Sequence, residues 1–187
     1  MSWGTTRTWK YLGKNTVTRN NVGRIVIPQR VFELGILEQP PEDPDASDRN
    51  VTGHWSYDSE KGWLILSDSE LTNDPPVIQY GVEQDDRFKT QREIVSRGPE
   101  DGYRMTVPSM FFADSAGGNA AVSDHVPDRA LVEPGEVRHF ITAEEFLTDT
   151  PTATTSCYLI RRSQLEHIMS SSGDEFDDAY PVPRLDS

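Results

Sequence analysis

A small set of basic and amide side chains in this sequence has the chemistry to contact nucleic acid. An arginine guanidinium is planar and can make two parallel hydrogen bonds to a phosphate or to the O6 and N7 atoms of guanine. An asparagine can bind the edge of adenine in a similar bidentate way. Arg24 is the first candidate, and the others are Lys14, Arg19, Asn20, Asn21, Arg30 and Arg104. Such residues can both hold a phosphate backbone and select bases.

The charge of the surrounding chain makes these positions conspicuous. The 187 residues carry a net charge of −13. Residues 1–36 hold six cationic side chains against Glu33 alone, a balance of +5, so residues 37–187 hold −18. An acidic surface in which arginine outnumbers lysine is typical of proteins adapted to high salt, where carboxylates maintain solubility. We attribute the acidic background to a halophilic environment and the basic block to function.

Short β-strands are predicted to position the basic block. The β-branched runs at 16–19 and 24–27 flank "NNVG", whose Asn and Gly residues are able to adopt positive φ, and this pattern indicates a β-hairpin. Pro28 and Gly35 predict the start and the stop of a short helix. A second hairpin follows at 54–67, where "HWSYD" and "GWLILS" flank a polar turn. The predicted unit is therefore ββ, short helix, ββ.

A weaker copy of this unit returns about 80 residues later. "YRMTVPSMFF" at 103–112 aligns with "GRIVIPQRVF" at 23–32 and places Arg104 under Arg24. "TQREIVS" occupies the position of the first strand, so we predict a strand there and not a helical turn. "CYLIRRSQL" aligns with "WLILSDSEL", and "VRHFIT" takes the place of "GHWSYD". Two copies are too few for a solenoid and indicate duplication of one unit.

The first copy resembles the AbrB/SpoVT (MazE-like) swapped-hairpin DNA-binding family. The resemblance covers residues 14–68, through "TVTRNNVGRIVIPQRVFELGI" and "HWSYDSEKGWLIL", and is best at Gly23, Arg24 and Pro28. In that family two units interleave their hairpins into one barrel, and basic residues on the first hairpin face DNA. The resemblance implies a mainly β fold with short helices, in which two tandem swapped-hairpin (ββαββ) units form an interleaved barrel.

This interpretation divides the chain into three parts. Residues 1–74 form the AbrB-like DNA-binding unit, residues 75–169 form a degenerate second AbrB-like unit, and residues 170–187 are expected to be a disordered acidic tail. The two units would pair within one chain as a pseudo-dimer or between chains of a homo-oligomer. The acidic tail could bind a protein partner.

The favoured hypothesis is a cytoplasmic, sequence-specific DNA-binding transcriptional regulator, acting as a repressor on double-stranded DNA. It would need no cofactor and no metal, and no apolar run is long enough to span a membrane. One alternative is an antitoxin that binds its own promoter and a toxin, and another is a structural adaptor that does not bind DNA. An enzyme is not expected, because the four histidines are dispersed and the single Cys157 lies in no catalytic motif.

Overall fold

The protein is described from a computed structural model of the chain. The described residues are 7–20, 22–40, 51–58, 63–68, 91–96, 102–108, 111–112, 132–143, 155–171 and 173–184. Strands predominate among them and the helices are short, which confirms the predicted mainly β fold.

The described strands join into a single sheet. They are β1 (Arg7–Thr16), β2 (Thr18–Asn20), β3 (Val22–Ile27), β4 (Thr52–Asp58), β5 (Trp63–Ser67), β6 (Gln91–Ser96), β7 (Tyr103–Val107), β8 (Val137–Ala143), β9 (Ser156–Ile160) and β10 (Asp174–Phe176). The helices are α1 (Gln29–Glu33) and α2 (Arg162–Ser170). The strand order is β10-β1-β8-β9-β5-β4-β6-β7-β3-β2. Neighbouring strands are antiparallel except for β1 and β10.

The predicted barrel is not closed by hydrogen bonds among these strands. Seven described strands lie between β1 and β2 in the sheet, although β1 and β2 are consecutive in the chain and separated only by Val17. At Val17 the backbone instead exchanges hydrogen bonds with Gly135 and Glu136, while the outer edge of β1 is taken by β10. The sheet is therefore open between β1 and β2, and the described strands do not form the predicted closed barrel.

The pairing of β3 with β7 is symmetric about its centre. Arg24 lies opposite Thr106, and Val26 lies opposite Arg104. Positions 24 and 26 of the first copy correspond to positions 104 and 106 of the second copy, a shift of 80 residues. The pair of Arg24 and Thr106 is therefore equivalent to the pair of Arg104 and Val26. The centre of the ladder is the pair of Ile25 and Met105, both buried. The repeat seen in the sequence is thus an internal two-fold relation in the sheet.

The same relation holds in the other parts of the sheet. In the β5–β9 ladder, Leu64 lies opposite Leu159 and Ile65 lies opposite Tyr158. A shift of 94 residues relates positions 64 and 65 to positions 158 and 159, so these two pairs are also equivalent. Two further pairs, β4 with β6 and β8 with β1, also cross between copies, whereas β2–β3, β4–β5, β6–β7 and β8–β9 pair within a copy. After each proline the same turn forms, with Val31 N–H donating to Pro28 O and Phe111 N–H donating to Pro108 O, both at 3.0 Å.

Alternation along β3 and β7 explains why this part of the sheet has one core face and one solvent face. In β7 buried and half-buried residues alternate, as expected for a strand with a single covered face. Ile25, Ile27 and Met105 point into the main core, which also contains Phe32 and Phe112 from the segments after the prolines. A second core lies under α2 and includes Trp9, Trp63 and Tyr158. Residues between the core positions of β3 and β7 are left facing water.

Gly23 does not serve as a turn residue. The glycines with positive φ in the described residues are Gly13, Gly35, Gly102 and Gly135, and Gly35 ends α1 as predicted. Gly23 instead lies inside β3, opposite Arg19 and Val107. A Cβ atom placed there would lie 2.2 Å from Cε2 of Phe112, so the glycine is needed for close approach of that ring.

Part of the segment predicted to be a disordered acidic tail, residues 173–184, is described by the structure and packs along β1. β10 runs parallel to the outer edge of β1, and beyond it the Tyr11 N–H donates to Tyr180 O at 3.0 Å. The Lys10 ammonium pairs with Asp177 at 2.6 Å and lies 4.7 Å from the centre of the Tyr180 ring. The acidic composition suggested disorder, but opposite charge and aromatic packing on β1 hold this segment in place.

Candidate nucleic-acid interface

The candidate interface is the water-facing side of strands β2, β3, β7 and β6, which we call the outer face. In each strand the residues that alternate with core positions point to this side. Six of the described side chains on the outer face are Thr18, Arg24, Val26, Val95, Arg104 and Thr106, and the exposed Glu93 of β6 lies on the same side. All are exposed or half-exposed, and Val95 has 42% of its surface exposed.

These six side chains form two parallel rows across the strands. In the first, the threonine row, Thr18, Arg24 and Thr106 lie opposite one another on β2, β3 and β7. In the second, the valine row, Val95, Arg104 and Val26 lie opposite one another on β6, β7 and β3. The internal two-fold relation exchanges the rows. Threonine and valine have almost the same shape, so the rows match in form and differ in hydrogen-bonding capacity.

The two arginines of the outer face are available for a ligand. Neither Arg24 nor Arg104 forms an ion pair with any described residue, and both are half-exposed. Glu93 is the one acidic residue in these four described strands; it lies opposite Thr52 of β4 and is exposed on the same side of β6 as Val95. The described charged side chains of the outer face are therefore two arginines and one glutamate, on a chain whose net charge is −13.

The spacing of the arginines suits a groove of duplex DNA. The rows are two residues apart along β3, about 6.7 Å at the usual rise per residue, and adjacent strands are about 4.8 Å apart. The Cα atoms of Arg24 and Arg104 are therefore separated by about 8 Å along the diagonal. Because the major groove is about 12 Å wide and admits a two-stranded β-ribbon, both guanidinium groups can reach the same groove.

The structure does not bring Arg19 onto the outer face. Arg19 lies opposite Gly23, on the core side of β2, and its guanidinium is 4.6 Å from the centre of the Phe112 ring. This contact is possible because Gly23 has no side chain. Asn20 ends β2 opposite Val22, where its side chain is not described, and Asn21 lies outside the described residues.

Lys14 and Arg30 also lie away from the outer face. Lys14 is exposed on β1 and lies opposite His139 of β8. Burial lowers the pKa of His139 to about 4, and the positive charges of Lys14 and Arg162 act in the same direction. Arg30 joins α1 to β1, because its Nη1 donates to Tyr11 O at 2.9 Å, and its guanidinium stacks 5.3 Å from the centre of the Tyr180 ring.

The basic block of the sequence therefore divides into separate surroundings. Lys10 and Arg30 pack against the C-terminal segment, Arg19 packs on an aromatic ring, and Arg24 faces water beside Arg104. Local charge balance along the chain does not distinguish these surroundings. The repeat does, because it aligns Arg24 with Arg104 and the register then places them together.

Sequence reasoning missed the four threonine and valine residues of the outer face. The available signal was the alternation in "TVTR", "GRIVI" and "YRMTV", which puts Thr18, Val26 and Thr106 on the same side as the arginines once the strands pair. Trp55 and Trp63 are buried, so they are core residues and not a stacking platform for bases. Tyr57 has no described side chain.

No helix of the described residues is long and apolar enough to cross a membrane. Within the same residues, no group of three or more His, Cys, Asp or Glu side chains is placed to hold a metal ion. Comparison of the chain with protein-family models, with curated proteins and with solved structures found no match.

Proposed function

We propose that this protein is a sequence-specific DNA-binding transcriptional regulator that uses the outer face of β2, β3, β7 and β6. One observation carries the proposal. Arg24 and Arg104 face water side by side without ion pairs among the described residues, although the chain is strongly acidic. Two exposed arginines that have no ion pair among the described residues of such a chain favour an anionic ligand with regularly spaced charges.

The proposed architecture is a pseudo-dimer of two AbrB-like swapped-hairpin units within a single chain. Its support is the pattern of strand pairing. Each copy contributes a hairpin that precedes its proline, and those hairpins meet through β3 and β7, while the second hairpins meet through β5 and β9. The pairs β4–β6 and β1–β8 then interleave the copies. Swapping of this kind gives each copy a core that is completed by the other.

The proposed mechanism is occupancy of operator DNA by the arginine pair. A guanidinium can fix register on phosphates and can make a bidentate contact to guanine in the major groove. Each such base contact is worth about 1–3 kcal/mol of discrimination against the wrong base. Contacts to phosphates weaken as salt rises, because release of counterions into a more concentrated solution gains less entropy. In a concentrated-salt environment the arginines would therefore contribute mainly through base edges.

The test is a titration of fluorescent duplex DNA from the region upstream of the gene against scrambled duplex of the same composition. We expect Arg24→Ala and Arg104→Ala each to weaken specific binding about 10- to 100-fold, the value of one bidentate contact. Arg162→Ala is the matched control, because Arg162 is an exposed arginine on α2 that pairs with Glu166. It should bind like the unaltered protein.

The salt dependence of the same titration separates the two kinds of contact. Loss of one phosphate contact reduces the slope of log affinity against log salt by about 0.9, whereas loss of a base contact reduces discrimination and leaves the slope unchanged. Unchanged affinity of both arginine variants would contradict the proposal. A stable oligomer without DNA affinity at any salt concentration would favour the structural adaptor instead.

The antitoxin hypothesis draws less support from the described residues. It needs a C-terminal segment that is open to a toxin, and residues 173–184 are packed along β1, with the Lys10 ammonium paired to Asp177. Co-purification of a small basic protein with the full chain would revive it.

A further inference from the structure

We infer that one chain binds an asymmetric DNA site in a single orientation, with the threonine row and the valine row reading different base pairs. The inference rests on the proposed function and adds what kind of site is read. Its basis is that the two rows are equivalent in position and different in chemistry. Each has an arginine at its centre, flanked by hydroxyl groups in one row and by methyl groups in the other.

The valine row suits guanine beside thymine. Arg104 can make a bidentate contact to O6 and N7 of guanine, while Val26 and Val95 carry methyl groups only. Thymine is the base that presents a methyl group in the major groove, and an aliphatic side chain gains free energy by covering it. Val95 has 42% of its surface exposed and is one of three large apolar side chains this exposed among the described residues. A ligand with apolar groups would reduce that exposure.

The threonine row suits a polar neighbour of guanine. The Thr18 hydroxyl lies 3.4 Å from the carbonyl oxygen of Arg24, a long contact that leaves the hydroxyl able to bond elsewhere. Thr106 lies on the other side of Arg24, and its own carbonyl accepts from Trp55 Nε1 at 3.0 Å, which fixes this strand from beneath. Threonine hydroxyls can donate to or accept from base edges and phosphates.

The spacing of the rows sets the spacing of the contacts. Two residues along a strand cover about 6.7 Å, which equals about two base-pair steps of 3.4 Å along one DNA strand. The two guanine contacts should therefore lie close to the centre of the site, on either side of the pseudo-two-fold axis through Ile25 and Met105. A perfect palindrome would present the same bases to both rows and satisfy only one of them.

The experiment begins with selection of high-affinity sites from random-sequence duplexes by the full chain. We expect an enriched motif whose two halves differ, with thymine next to guanine in one half only. Replacing thymine by uracil in that half removes the methyl group and should weaken binding about fourfold, as for one methyl group withdrawn from a contact. The same replacement in the other half should leave affinity unchanged.

The matched variant converts the valine row into a second threonine row. Val26→Thr with Val95→Thr keeps the side-chain shapes and replaces one methyl group of each side chain by a hydroxyl, so it should reduce the effect of uracil and make the selected motif palindromic. Val137→Thr is the control, because Val137 is 41% exposed on β8, away from the outer face. Its selected motif should remain asymmetric.

The outcomes separate this inference from the proposed function. Enrichment of a palindromic motif by the unaltered chain would overturn the inference and leave DNA binding by the arginine pair intact. Equal effects of uracil in both halves would overturn it as well. Failure to enrich any sequence would overturn the proposed function and, with it, the inference.

Discussion

Substitution of Gly23 by alanine should destabilise the fold, although the intrinsic preference favours alanine. Glycine inside a strand costs about 0.5–1 kcal/mol relative to alanine, because it loses more conformational freedom on folding. Gly23 does not have positive φ, so alanine would meet no backbone strain. On local grounds alone the variant should therefore be more stable than the unaltered protein.

Packing reverses this expectation. A Cβ atom at position 23 would lie 2.2 Å from Cε2 and 2.3 Å from Cζ of Phe112, which is fully buried. The ring would have to retreat by about 1.3 Å to reach a carbon separation of about 3.5 Å. Overpacking of this kind typically costs about 1–3 kcal/mol. With the gain from the backbone subtracted, we expect Gly23→Ala to lower the free energy of unfolding by about 1–2 kcal/mol.

Urea unfolding followed by tryptophan fluorescence measures the difference. Gly173→Ala is the control, because no atom lies within 4 Å of a Cβ at that position and φ is not in the left-handed region. It should change stability by no more than about 0.5 kcal/mol. Combining Gly23→Ala with Phe112→Leu removes the clashing ring atoms, so the double variant should be less destabilised than the sum of the single variants.

A Gly23→Ala protein as stable as the unaltered one would refute the reasoning. So would strict additivity with Phe112→Leu, since the cost would then come from something other than that contact. The equivalent site in the second copy supports the expectation. There Tyr103 occupies the position of Gly23, and its ring meets Phe32 edge to face, with ring centres 5.1 Å apart. In the first position, Gly23 leaves room for the Phe112 ring. At the equivalent position of the second copy the Tyr103 side chain fills this room, and Phe32 packs in a different place.

Two further predictions concern buried charge and the C-terminal segment. The pKa of His139 is 6.5 in the unfolded state and about 4 in the folded state. Between pH 6.5 and 4 the unfolded state therefore binds a proton that the folded state does not, and the free energy of unfolding falls as the pH falls. Between pH 7 and 5 the unaltered protein should lose about 1–2 kcal/mol more of unfolding free energy than His139→Gln, and equal losses in urea titrations would contradict this. Deletion of residues 172–187 removes Phe176 and Val182 from the second core and uncovers the edge of β1. We expect a loss of at least about 2 kcal/mol in urea unfolding and self-association in light scattering, and a stable monomer would contradict both expectations.

Most of the fold could be predicted where the sequence pattern is local. The β-branched runs and prolines located β2, β3, β6 and β7, and the alignment of Arg104 with Arg24 agrees with the register of the ladder. The prediction failed where distant segments meet. β1 begins at Arg7, well before the first predicted strand, and its outer edge is covered by residues 174–176. Neither segment has a periodic pattern that would reveal the other.

The candidate interface could be predicted only in part. The sequence shows which residues are charged, whereas the side of the sheet to which each side chain points follows from the structure. Arg24 and Arg19 are five residues apart in the same predicted hairpin, yet they face opposite sides of the sheet. That difference follows from strand register, and a shift of one residue would exchange the two sides. Arg30 appeared equally suitable in sequence, but its guanidinium is held by Tyr11 O and the Tyr180 ring.

Two units within a single chain can differ in ways that two identical chains cannot. In a homodimer the symmetry axis makes both halves of an interface the same, and the preferred DNA site is then palindromic. Here the two halves already differ inside the sheet, where Gly23 corresponds to Tyr103, and outside it, where Thr18 corresponds to Val95. The inner difference alters packing, whereas the outer one leaves side-chain shape almost unchanged and alters chemistry alone. A protein that binds a DNA site with two unequal halves requires two surfaces of the same shape that differ in chemistry.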